Sequence, residues 1–178
     1  MTCTLPPKIL DIIERYKLCM TLPPFHSGCR HGLGNNMREA GASYAGGGLY
    51  RQVYRYSPSC VVKIAEDEDS VGSNYEEATS WEELPRRAKK FFVPVHQIDR
   101  DGWWLVAPKV ETNGEELSAE VDGMLKHHGI SCEDLHGHNV GYYKGRPVVL
   151  DYGSGVSCKV KGYGIMSTQE LKLNRGNR

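Results

Sequence analysis

From Leu5 to Leu18 apolar side chains fall at positions 9, 10, 12, 13, 16 and 18 behind two prolines, the stripe of an amphipathic helix with a proline start. The period is lost from Cys19 to Met37, where Pro, Gly, His and Asn dominate, and loop is predicted there. Alternation replaces it at Tyr50, Gln52, Tyr54 and Tyr56, a strand pattern; Ser57-Pro58-Ser59 turns the chain, and Val61, Val62 and Ile64 form a second strand around Lys63. Ser73 is the expected cap of a helix over 74–84, which Pro85 ends. Phe91 to Ile98 reads as a strand, joined by a turn at Asp99 to Gly102 to another over Trp103 to Ala107. Leu117, Val121, Met124 and Leu125 predict a helix over 115–128, stopped by Gly129. Tyr142 and Tyr143, a Lys144-Gly145 turn and the run Pro147 to Leu150 predict a short hairpin, followed by a candidate strand within 156–161 and a basic tail.

At 178 residues the chain can bury one ordinary core, or two small lobes sharing a cleft. Lys and Arg number 22 and Asp and Glu 22, so nothing global argues for nucleic acid or a membrane, and any phosphate site must be built locally. No window approaches the roughly 18 apolar residues of a membrane span, and the N-terminus has no continuous apolar leader, so a soluble cytoplasmic protein is expected. The six cysteines are widely spread, which predicts reduced thiols and no disulfide framework. Cys19, His26, Cys29 and His31 are the residue types that zinc prefers, but their spacing fits none of the common finger patterns.

Chemistry-bearing residues recur along the rest of the chain. Gly46, Gly47 and Gly48 let the backbone turn tightly and approach a ligand. Lys63 lies in an apolar strand, where an ammonium group needs an anion to meet. Glu77 shares a helix face with Trp81, four residues on, which singles it out from its neighbour Glu76. Asp134, Asn139 and Asp151 are three oxygen-bearing side chains bracketing the Tyr142 to Leu150 hairpin. Phosphoryl transfer needs such a trio: a hard cation held by amide and carboxylate oxygens, and one further carboxylate to orient the attacking hydroxyl.

Taken in order, these features resemble the protein-kinase-like superfamily across residues 42–153. Gly46, Gly48 and Val53 fall on two glycines and the valine of its glycine-rich loop, with Arg51 in the place of the third glycine. Cys60-Val-Val-Lys-Ile-Ala65 is similar to its lysine strand, Asp134 with Asn139 to its catalytic loop, and Asp151-Tyr152-Gly153 to its metal-binding turn. Cys132-Glu133 stand where His-Arg is usual, and His136 where a lysine is usual. The wording is closer to small-molecule and atypical kinases than to eukaryotic Ser/Thr kinases, and the size resembles that of the compact kinase-like proteins of bacteriophages. The resemblance implies an α+β, bilobal fold: an N-terminal helix and irregular extension over 1–41, a lobe with a five-stranded antiparallel sheet and hinge over 42–111, and a strongly reduced helical lobe over 112–178. It implies ATP and Mg²⁺ as cofactors, with Gly46, Gly47, Gly48, Arg51, Val53 and Lys63 at the nucleotide. Glu77 would orient Lys63, Asp134 would take the acceptor's proton, His136 would meet phosphate, and Asn139 and Asp151 would bind the metal. The hinge, Ala107 to Glu111, would meet adenine. A small alcohol, a protein Ser/Thr or a nucleic-acid hydroxyl all remain open as acceptor. The alternative is a kinase-shaped protein without catalysis that docks to a host or cellular partner. Segments that bind peptide in full protein kinases have no counterpart after Gly153.

Overall fold

The computed structural model describes residues 3–22, 28–112, 115–132, 135–152 and 156–158. They form two compact units, one drawn from Met1–Tyr75 and Val95–Lys109, the other from Glu76–Pro94 and Val110–Arg178. Four α-helices and ten short strands make a mixed α and β protein among the described residues.

In the first unit, helix α1 (Pro7–Thr21) begins at a proline, whose missing N–H would have lacked a partner at a helix start anyway, and buries Ile9, Ile12, Ile13, Tyr16 and Met20. A second helix, α2 (Gly28–Glu39), occupies the stretch where loop was expected. Its glycines and asparagines have poor helix propensity, yet Leu33 and Met37, four residues apart, enter the same core as Ile9 and Ile13. Packing on that narrow stripe, not propensity, holds the helix. The Lys8 ammonium also donates to the Glu39 carbonyl at 3.0 Å.

Strands β1 (Ser43–Gly47), β2 (Arg51–Ser57), β3 (Cys60–Ala65), β4 (Gln97–Ile98) and β5 (Trp104–Pro108) form one antiparallel sheet in the order β1-β2-β3-β5-β4, the five-stranded sheet expected. Val62 and Ile64 of β3 join the core under α1 and α2 together with Tyr54, Trp103 and Val106. Strand β4 is shorter than the Phe91 to Ile98 strand expected: Lys89–Phe91 is a 3₁₀ turn, and only Gln97 and Ile98 pair with β5. Pro94 has no N–H to offer a ladder, and Phe91 and Phe92 belong to the other unit's core.

Two disulfides, Cys3–Cys60 and Cys19–Cys29, overturn the expectation of reduced thiols. Cys3 and Cys60 are 57 positions apart, but folding brings their Cα atoms to 6.0 Å, within the span a disulfide bridges. Cys19 and Cys29 are thereby removed from the zinc set. His26 lies outside the described residues, and among those described no three potential ligands gather.

Helix α3 (Val71–Glu83) contributes residues to both units and starts earlier than expected. A 3₁₀ turn, Glu68–Ser70, precedes it; the Asp67 carboxylate accepts the Ser70 N–H at 3.0 Å, so Asp67 is the cap and Ser73 lies inside the helix. In the second unit, β6 (Glu111–Thr112) precedes α4 (Glu115–His127), which ends at Gly129 in the left-handed region. Strand β7 (Ile130–Cys132) pairs with β10 (Val156–Cys158), and β8 (Val140–Tyr143) lies between β6 and β9 (Arg146–Val149). Lys144 and Gly145 both have positive φ, 52° and 73°, the two-residue turn that matches strand twist. A Cβ on Gly141 would overlap the Glu111 carbonyl and come within 2.6 Å of Val110 Cγ1, so β6 approaches β8 this closely only because residue 141 is glycine. Phe92, Val121, Leu125, Val140, Val149 and Tyr152 fill this unit's core.

Candidate functional site

The glycine stretch is strand and turn. Gly46 and Gly47 end β1, opposite Val53 and Gln52, after a bulge that follows Tyr44. Gly46 has a φ of 148°, and a Cβ on Gly47 would meet Tyr44 Oη at 2.7 Å and the Arg51 carbonyl at 2.8 Å; one on Gly48 would meet nothing. Only the first two therefore need to be glycine for the hairpin itself. Its tip presents Leu49 and Tyr50 to solvent.

Across the ladder, Gly46 faces Val53, Val53 faces Lys63 and Lys63 faces Leu105. Residues directly opposite in an antiparallel pair share a face, so Val53 and Lys63 lie on one side of the sheet, away from Val62 and Ile64. Lys63 is 7% exposed. Tyr54, on the helix-covered face, donates to Gln52 Oε1 at 2.6 Å; burial first, then the neighbouring Tyr44 and Glu66, push its hydroxyl up to about 12.

Arg51 is not displayed at the hairpin mouth. It is 6% exposed, and Nη1 donates to Asn74 Oδ1 at 3.2 Å, while Asn74 Nδ2 donates to the Gly102 carbonyl at 2.8 Å. Arg51 thus ties β2 to the first turns of α3, and α3 to the turn before β5. One turn further along α3, the Glu77 side chain is fully buried, whereas Glu76 is exposed. A carboxylate withdrawn from water to that degree requires compensation by charge or hydrogen bonds. Of the expected hinge, the Lys109 N–H donates to the Ser59 carbonyl at 2.7 Å, and Glu111–Thr112 pairs with β8; those two points are committed within the protein itself.

In the second unit a 3₁₀ turn, Gly137–Asn139, follows His136, whose Nδ1 accepts the His138 N–H at 3.3 Å. That bond assigns Nδ1 an acceptor role, so any donation from this ring to phosphate belongs to Nε2. The Asn139 carbonyl accepts the Leu150 N–H at 2.8 Å. One main-chain bond therefore fastens Asn139 beside the residue that precedes Asp151. Tyr152 is buried, donates from its hydroxyl to the Val93 carbonyl at 2.6 Å and meets Phe92 edge-on at 5.0 Å. The Tyr152 hydroxyl thus has a built-in acceptor. Asp134 and Gly153 lie outside the described residues.

Sequence reasoning missed the Arg51, Asn74 and Gly102 connection. The signal available was a polar residue, Asn74, one turn before Glu77 on the same helix face.

No family model matches the chain, and no curated protein matches it. Among solved structures it is similar to the bifunctional kinase-methyltransferase WbdD, at 17% identity and a TM-score of 0.42 over 74% of this chain. The chain spans about a third (35%) of that protein's chain. At that level the likeness is distant, and function has to be read from the residues themselves.

Proposed function

We propose that the protein is an ATP- and Mg²⁺-dependent phosphotransferase. The observation that supports the reading is the main-chain bond from the Leu150 N–H to the Asn139 carbonyl, which fastens Asn139 beside the residue that precedes Asp151. Oxygen donors of this kind suit Mg²⁺, which keeps several waters and takes few protein ligands. When bound, the metal supplies charge neutralisation at the phosphate oxygens. Lys63, a cation in an all-buried strand, holds the phosphates; Glu77 is the carboxylate that orients it. Gly46, Gly47 and Gly48 bring backbone close to the nucleotide, with Val53 on the Lys63 side of the sheet. Asp134 accepts the proton of the acceptor hydroxyl, and His136 donates to phosphate from Nε2. Arg51 is reassigned from the nucleotide to the support of α3. Positioning and electrostatics supply most of the rate in this chemistry, so a small scaffold suffices.

Transfer of labelled γ-phosphate to the protein itself, to a generic protein or to water tests the reading. Wild type should turn over, and Asp151→Ala and Lys63→Met should lose at least about a hundredfold. Equal turnover in wild type and Asp151→Ala would end it. A second reading, a non-catalytic protein that binds a partner, is favoured by the Lys109 N–H, a hinge donor already engaged by Ser59. Calorimetry separates the two: absence of heat on adding ATP with Mg²⁺ excludes catalysis and leaves the binding protein.

A further inference from the structure

The second unit carries a cationic surface that phosphotransfer does not use. The segment after α3 supplies Arg86, Arg87, Lys89 and Lys90, and the end of α4 supplies Lys126, His127 and His128. Ring contacts bring the two segments together: His128 lies on Phe91 with centroids 4.7 Å apart, the Lys90 ammonium sits 4.7 Å from the same Phe91 ring, and His127 meets His128 at 5.3 Å. The Lys89 ammonium covers Trp81 at 4.8 Å. Arg86, Arg87, Lys90, Lys126 and both histidines are exposed. Lys126 is paired with Asp122 at 2.6 Å. Glu82 and Glu83 precede the segment, but among the described residues neither forms an ion pair with these cations.

Like charges gathered this closely repel one another, and at His128 that repulsion adds to the loss of water. Loss of water against Phe91, and then Lys90, His127 and Arg87, hold its pKa below the ordinary histidine value. A polyanion would relieve that repulsion. None of the large exposed apolar side chains, Leu18, Leu22, Tyr44, Leu49, Tyr50, Tyr75 and Tyr142, belongs to these two segments, so nothing there is built to enter a bilayer. Side chains spread over a loop and a helix end suit a chain of phosphates better than a single phosphorylated residue. We infer that this surface binds the phosphate backbone of a nucleic acid, without reading its bases, through Arg86, Arg87, Lys90, Lys126 and the histidine pair. Neutral overall charge conceals it, because that total is summed over all 22 acids and all 22 Lys and Arg of the chain.

The test is fluorescence anisotropy of the whole chain with labelled single-stranded and duplex oligonucleotides over a range of salt. For single strands, four or five neutralised phosphates predict a log–log salt slope of about −3. Arg86→Ser/Arg87→Ser/Lys90→Ser should weaken binding at least tenfold at low salt and flatten the slope by about two. Lys126→Ser, on the other element, should weaken it about twofold, whether or not the triple variant folds well. Asp151→Ala should bind as wild type does, which keeps the result distinct from the nucleotide reading. Failure to bind either oligonucleotide at low salt, unchanged affinity and slope in both surface variants, or binding only to phosphatidylserine vesicles would each overturn the inference.

Discussion

Replacing Asn74 with alanine removes both halves of the connection that fastens α3 to the sheet. Asn74 is fully buried and makes one bond to a charged donor, Arg51, and one to a neutral carbonyl, Gly102. A bond to a charged group contributes about 1.5–3 kcal/mol and a neutral one about 0.5–1.5. Arg51 has further interactions, so it is not stranded when Asn74 goes. The expected loss is then about 2–4 kcal/mol, which for a chain of this length lowers Tm by roughly 5–15 °C. Trp103 adjoins Gly102 and is buried, so its fluorescence reports locally while far-ultraviolet circular dichroism reports globally. Asn74→Asp is the companion variant. Its carboxylate strengthens the Arg51 bond but sets an acceptor against the Gly102 carbonyl, so it should fall between wild type and alanine. If Asn74→Ala melts within a degree or so of wild type, the connection contributes no stability and the reassignment of Arg51 is wrong.

Gly47→Ala places a methyl against Tyr44 and the Arg51 carbonyl and should cost about 1–3 kcal/mol, while Gly48→Ala, in open space, should stay within about 0.5, both read from thermal melts. Cys3→Ser opens a 57-residue loop and should cost about 4 kcal/mol on chain-entropy grounds, against about 3 for Cys19→Ser with its separation of 10. Peptide mapping without reductant should recover both crosslinked pairs, and recovery of all four as alkylated thiols would contradict them. His128 should titrate below 6.5 by NMR, and Lys90→Met should raise its midpoint. Because the unfolded chain takes up that proton first, the contribution of His128 to stability is complete above the ordinary histidine pKa and declines as pH falls through it.

Much of the architecture was legible where one period ran unbroken. The α1 stripe, the β2–β3 hairpin, α4 and the Lys144-Gly145 turn all follow from local spacing. Helix α2 was not legible, since among the described side chains Leu33 and Met37 carry its buried face and glycines dilute the pattern. The Phe91 to Ile98 strand failed for the opposite reason: its apolar run serves a core and a ladder in turn, and alternation cannot tell the two apart. At the candidate site, Lys63 stood out because a cation interrupts an apolar strand, and the choice between Glu77 and Glu76 could be argued from the Trp81 face. The Arg51–Asn74 bond spans 23 positions and leaves no periodic trace. Neither do the disulfides, which join positions 57 and 10 residues apart.

The bridge from Cys3 to Cys60 also decides how the molecule would answer a mechanical load. Tension applied ahead of Cys3 crosses the sulfur pair straight into the central strand, while both amino-terminal helices ride slack inside the covalent ring. About 190 Å of chain, at roughly 3.4 Å per residue, stays hidden from an unfolding motor or an optical trap until a reductant cuts the bridge.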